Sequence, residues 1–278
     1  MLKPTVIATL LTAACCQMLF AQGVKTPAPS PHQVITQDFG LSQITIDYSR
    51  PGMKGRTIFG GLVPYNEEWR TGANAVTTID FGQDVELSGH PVKAGKYALY
   101  TIPSQGEWTI ILNKDIKNWG TQYNQSDDVL RFKVSTQQLP FPIETFTINI
   151  DNLRDSTATL YMIWENTYVP IQITTHIDSR IMSEIQEGMK SDKKPYVAAA
   201  GYYLRMNRDL NTALGWVNEA LKEKPKAFNI FYLKAQIQSK MNDKSGAIAS
   251  AKQGAELAKA ANNDEYVKMN EQLISSLQ

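Results

Sequence analysis

The chain has 278 residues, 42% of them hydrophobic and 20% charged, with 28 basic and 27 acidic side chains and a net charge of +1. This is the make-up of a globular protein with an ordinary core, and it excludes a disordered chain. No basic excess exists for the phosphate electrostatics of general nucleic-acid binding, so no nucleic-acid partner is expected.

The first segment reads as an export signal. Lys3 is followed by an apolar run from Val6 to Ala14, and Ala21 offers a small residue for cleavage. Met1–Ala21 is therefore expected to be removed, placing the protein in the periplasm or cell envelope. Lipid anchoring at Cys15 is the alternative, although Thr12 stands where such a site normally carries Leu. A membrane-retained segment is the other alternative, but Val6–Ala21 falls short of the roughly 20 apolar residues of a span. Cys15 and Cys16 both fall within this segment, so the exported chain has no disulfide, thiolate nucleophile or Cys metal site. No later apolar run predicts a transmembrane segment. Residues 22–33 hold three prolines and read as a flexible leader.

From about Leu41 to Thr175 the hydrophobic period is two. Ile44, Ile46 and Tyr48 alternate with polar residues, and so do Trp108, Ile110 and Leu112, and Phe146, Ile148 and Ile150. With Thr77–Phe81, Val85–Leu87, Ala98–Ile102, Leu130–Val134, Leu160–Trp164 and Val169–Ile173 this gives about nine strands. No helical stretch separates them, so the expected fold over 34–177 is an antiparallel β-sandwich or jelly roll. Pro170 inside the last strand predicts an edge position for it.

Within this domain Tyr48–Thr78 is glycine-rich and carries Arg50, Lys54, Arg56 and Arg70 against only Glu67 and Glu68. The planar fork of Arg suits carboxylate, phosphate or sulfate. The segment is thus a candidate pocket for a polar or anionic ligand, formed by Arg50, Lys54, Arg56, Trp69, Arg70 and Asn74. The plainer alternative is that each cation caps backbone carbonyls or pairs with an internal acid. A second loop, Lys114–Asp128, offers Trp119 and Tyr123 as rings that cover a ligand or stack on a sugar. They serve equally as anchors that bury the loop.

Enzymatic signals are weaker. Glu67, Glu68, Asp80, Asp127 and Asp128 are candidate carboxylates for glycan hydrolysis. In a strand, however, neighbouring Glu67 and Glu68 face opposite ways and only one can enter a site. His32, His90 and His176 lack metal-site spacing, and His90 with Asp84 and Glu86 is the remaining metal candidate. No nucleophile elbow, phosphate loop or dinucleotide fingerprint is present, so neither cofactor nor metal is expected.

From about Ser179 the period becomes helical, and positions 34 apart correspond: Asp209 with Asp243, Ala213 with Ala247, Leu214 with Ile248, Ala220 with Gly254. Gly201, Ala213, Ala220 and Pro225 occupy the positions of the tetratricopeptide motif, and the second copy has Lys259 where the Pro belongs. Tetratricopeptide-like helical hairpins over 178–278 are expected, with a protein partner as their usual use. Two repeats rarely stand alone, so the helices are expected to pack on the sandwich or be capped by Asp264–Leu277.

Several motifs together resemble a known bacterial family. They are Arg50-Pro51, Lys54-Gly55-Arg56, Trp69-Arg70-Thr71-Gly72-Ala73-Asn74 and Trp119-Gly120, with the runs Lys93–Pro103 and Glu107–Lys114. The chain resembles the family catalogued as domain of unknown function 2911. The resemblance implies a sandwich-like part over roughly Gln33–Thr175, continued by tetratricopeptide-like helices. It carries no activity or catalytic residues. Asn66 departs from the pattern, standing where Gly is expected after Pro64-Tyr65.

The residues therefore point to an exported, non-catalytic binding module for a small polar or anionic ligand, glycan or peptide group. The alternatives are a hydrolase of envelope glycans and a purely structural adaptor.

Overall fold

A computed structural model describes residues 26–117, 119 and 122–278. The expected signal segment, both cysteines and Gly120 lie outside the described residues. The chain divides into two compact units at Thr175/His176.

The described residues of the first unit form ten strands: β1 (His32–Phe39), β2 (Ser42–Ser49), β3 (Thr78–Phe81), β4 (Val85–Leu87), β5 (His90–Val92), β6 (Gly95–Pro103), β7 (Glu107–Asn113), β8 (Asp128–Ser135), β9 (Gln137–Asp151) and β10 (Thr157–Thr174). They form two antiparallel sheets, ordered β1-β2-β3-β6-β7-β8 and β5-β4-β10-β9. The alternating residues meet between the sheets: Ile44, Ile46 and Tyr48 with Trp108, Ile110, Leu112, Phe146, Ile148, Leu160, Met162 and Trp164, all buried. The β4–β5 hairpin turns at Ser88 and Gly89 with φ of 49° and 84°, the left-handed pair that matches strand twist.

Three expectations are corrected. His32 and Gln33, assigned to the flexible leader, begin β1, which pairs with the whole of β2. The two runs Leu160–Trp164 and Val169–Ile173 are one strand, β10, interrupted by an irregularity in pairing around Glu165, which adopts φ 52°. And β10 is an inner strand, not an edge. Pro170 is tolerated because pairing to β9 ends at Tyr168 and pairing to β4 begins at Ile173, so the missing N–H breaks no ladder bond.

The outer edge of β9 is sealed by the chain leaving β2. The Tyr48 hydroxyl donates to Ile148 O and accepts from Ile148 N, both at 3.0 Å. Phe146 N donates to Pro51 O, and Met53 N donates to Glu144 O. Every second residue of this stretch of β9 is thus matched by Tyr48 of β2 or by the loop that follows it, which satisfies groups that an open edge leaves free.

The second unit has six helices: α1 (Asp178–Gly188), α2 (Tyr196–Arg205), α3 (Leu210–Glu223), α4 (Phe228–Lys240), α5 (Lys244–Ala260) and α6 (Asp264–Ser276). The 34-residue correspondence has a structural counterpart. Asp209 caps α3 by accepting from Asn211 N and Thr212 N, and Asp243 caps α5 by accepting from Gly246 N. Ala213 and Ala247 are fully buried at matching positions. The α6 helix packs on α5, where Gly254 lies so close to Asn270 that a Cβ would meet its Oδ1 at 2.8 Å. Among the described residues no helix is long and apolar enough to cross a membrane.

Candidate functional site

The cationic cluster separates into two groups. Arg50 is used by the fold: its Nε donates to Phe146 O at 3.1 Å and its Nη2 to Thr147 Oγ1 at 2.6 Å. Its fork thus continues the seal along β9. Lys54, at φ 50°, gives its backbone N–H to Glu144 Oε1 and its Nζ to Pro29 O. Asn74 donates to Ser30 O and Ser49 Oγ. These three tie the loop down, as the plainer alternative expects.

Arg56 and Arg70 differ, because both line a cavity of about 330 Å³ together with Glu67, Glu68, Trp69 and Trp164. Arg56 is braced by its own turn, donating to Met53 O at 2.9 Å and Gly52 O at 2.7 Å. Arg70 has no such brace, and its buried Nε has no acceptor among the described residues. Neither Glu67 nor Glu68 has a hydrogen-bond or ion partner among the described residues.

The local fold explains how these groups arrive together. Trp69 pairs with Thr101 through two backbone bonds, and Asn66 N donates to Pro103 O, so the segment runs beside β6 beyond the end of β3. Trp69 is then driven inward. Its ring stacks on Trp164 at 5.9 Å and meets Phe146 at 5.0 Å and Phe59 at 6.2 Å, while its Nε1 donates to Gly72 O. Trp69 is therefore a wall and an anchor at once. Glu67 and Glu68 both reach the cavity, contrary to the expectation that only one could. They lie in a turn, not a strand, and Asn66 at φ 63° removes the two-residue alternation.

Next to Arg70 the backbone is strained. Thr71 is fully buried at φ 53°, a conformation that a β-branched residue rarely adopts. It is held there from both sides. Its hydroxyl bonds Thr101 Oγ1 at 3.1 Å, and its carbonyl accepts from Thr77 Oγ1 at 2.6 Å. Gly72 follows because no Cβ fits: it would lie 2.9 Å from Thr77 Oγ1 and 3.1 Å from Ser49 O.

No described residue of the second loop lines this cavity. Trp119 is 70% exposed. Tyr123 packs on Tyr100 at 5.0 Å, donates to Asp128 Oδ2 at 2.6 Å and accepts from Arg131 Nη2 at 2.7 Å. It is an anchor on the outer face of the six-stranded sheet. Asp128 is further held by Arg131 Nε and Asn113 Nδ2. Asp127 bonds Asn124, and Asp80 faces Lys96 and Thr45 across β3. None of these carboxylates joins Glu67 and Glu68 in the cavity. Asp84 is bonded by Lys93 Nζ and Ala94 N, and His32 by Asp47.

Burial, then the hydrogen bond to Asp128, pushes the Tyr123 phenol from its ordinary 10.0 up to about 12. The folded state thus holds this proton more tightly than the unfolded state. Its contribution to stability is complete below the unfolded value and is lost as pH rises through about 12. Urea unfolding across the alkaline range is expected to show this loss, and Tyr123→Phe to lack it.

The sequence profile of the family described as Protein of unknown function (DUF2911) matches residues 30–173. The chain belongs to this family. The DUF2911 match spans the two sheets almost completely and stops before the helices. No curated protein and no solved structure matches the chain. Asn66, the departure from the DUF2911 pattern, sits at φ 63°, a left-handed conformation that Asn and Gly both accept. Two features escape the sequence reading. Nothing local marks Thr71 as strained. Nor does anything mark Glu165, whose carboxylate receives Ile58 N and Phe59 N and holds the loop that carries Arg56.

Proposed function

We propose that the first unit is an exported, non-catalytic binding module that takes a small polar or anionic ligand into the cavity beside Arg70. The helical unit, read as tetratricopeptide-like, serves as its protein-interaction element. The observation that supports this best is the Arg70 guanidinium. Arg70 lines a cavity whose size suits a small molecule, and its side chain has no hydrogen-bond or ion partner among the described residues. An unpaired guanidinium is the side chain best suited to a carboxylate, phosphate or sulfate.

The hydrolase alternative retains Glu67 and Glu68 as its carboxylates. They arise from adjacent positions of one turn, whereas glycoside hydrolysis needs two groups flanking the bond. Binding is therefore the better-supported reading.

The test is a thermal-shift screen with acetate, citrate, inorganic phosphate, sulfate and simple sugars. At least one is expected to raise the melting temperature of the native protein and of Arg154→Gln, an exposed control, but not of Arg70→Gln. No shift with any compound, or shifts unchanged in Arg70→Gln, would overturn the reading.

A further inference from the structure

The sheet edges of the first unit are guarded unequally. An exposed edge strand invites pairing with another chain, and proteins blunt it with short length, proline, irregular pairing, positive side chains or a covering loop. Among the described residues, β5 is three residues long and contains Pro91. β9 carries Pro140 and Pro142 and is covered by the loop after β2. β8 exposes Arg131 and Lys133. β1 has none of these guards. It is eight residues long, pairs with β2 without a register shift, and holds no proline, glycine, lysine or arginine. It is the terminal strand of its sheet, and no described strand pairs with its outer side.

The phase of the ladder tells which groups face outward. Arg50 N donates to Pro31 O, one step beyond the His32–Ser49 pair of the β1–β2 register. Antiparallel pairs alternate between hydrogen-bonded and non-hydrogen-bonded. Gln33, Ile35 and Gln37 therefore bond β2, whereas His32, Val34, Thr36 and Asp38 turn their N–H and C=O away from it. The Thr36–Thr45 hydroxyl contact at 3.3 Å agrees, because side chains come closer in non-hydrogen-bonded pairs. Of the outward groups, Asp38 O accepts the Gln37 side-chain amide at 3.0 Å and keeps a second lone pair.

A second copy of the chain matches this row. When it runs antiparallel with Ile35 opposite its own copy, every outward residue meets an outward residue: Val34 faces Thr36, and His32 faces Asp38, on both sides of a two-fold. A shift of two residues loses a pair, and a slip of one sets outward groups against residues already bonded to β2. The side chains agree with this register. Val34, 51% exposed, meets another β-branched residue. Asp38, whose carboxylate has no partner among the described residues, meets His32, whose Nε2 is bonded to Asp47 and whose Nδ1 is left for the second copy. Ile35, packed against the core cluster, meets itself and carries the apolar layer across the junction. A match at both ends and at the centre favours a second copy over an unrelated strand.

We propose that β1 is a dimerisation edge, at which two copies of this chain join their six-stranded sheets antiparallel about a two-fold at Ile35. The proposal does not depend on the cavity beside Arg70.

Sedimentation velocity of the purified full chain across the micromolar range is expected to show a concentration-dependent dimer. The double variant Val34→Lys, Thr36→Lys sets ammonium groups directly opposite each other and is expected to stay monomeric over that range. Both positions are exposed, and circular dichroism checks that the variant is folded. Oxidative crosslinking reads the register, in chains that also carry Cys15→Ser and Cys16→Ser. Ile35→Cys is expected to form a disulfide-linked dimer, because the two Cα atoms of a non-hydrogen-bonded pair lie within disulfide reach. Thr36→Cys is expected to crosslink far more slowly, because it meets its own copy only on the longer diagonal. A chain that is monomeric throughout, a dimer untouched by the two lysines, or Thr36→Cys crosslinking as fast as Ile35→Cys would overturn the proposal.

Discussion

Trp69→Ala is expected to destabilise the first unit by about 3–5 kcal/mol, the usual cost of truncating a large aromatic packed in a core. The ring touches four others: Phe59, Trp108, Phe146 and Trp164. Its removal leaves a void where the loop enters the core, and it orphans Gly72 O, which the indole N–H now satisfies. Trp69→Phe retains part of the packing but not that bond, and is expected to fall between alanine and the native residue. Urea unfolding followed by tryptophan fluorescence and circular dichroism measures both. A loss below about 1 kcal/mol for the alanine variant would mean that Trp69 is an exposed ligand platform, as its place beside four loop cations first suggests.

Arg50→Ala is the second large effect, and it separates the two roles within the cationic cluster. The variant loses two charge-assisted bonds to β9, at Phe146 O and Thr147 Oγ1, each of a kind worth about 1.5–3 kcal/mol. A loss of about 2–4 kcal/mol is expected, allowing for water that reaches this half-buried position. Arg50→Lys should recover little, because an ammonium cannot reproduce the fork. Ligand-induced shifts, where they occur, should survive in folded Arg50→Ala protein and vanish in Arg70→Gln. The pair of variants tells a strut from a receptor group in one set of unfolding curves.

The architecture was legible where one face of a strand is apolar. Ile44, Ile46 and Tyr48, or Phe146, Ile148 and Ile150, announce their strands because the two faces differ. β1 was hidden because two of its more buried positions are Gln33 and Gln37, and one exposed position is Val34. Its alternation is blurred. The first half of β9 was hidden by Pro140 and Pro142, which an edge strand tolerates.

The site was half legible for a different reason. Charge concentration in Tyr48–Thr78 is a local property and can be read directly. Which carbonyl each guanidinium meets is not local: Arg50 finds its partners 96 and 97 residues away. Sequence therefore located the loop but could not divide Arg50 and Lys54, which hold it, from Arg70, whose side chain has no partner among the described residues.

The twist at Thr71 carries a consequence for recognition. Clamped between Thr101 and Thr77, it fixes the backbone from which the Arg70 side chain departs. Under the proposed binding role, that ordering is completed during folding, so a guest would meet a backbone already set, and little of its affinity would go to rearranging the host.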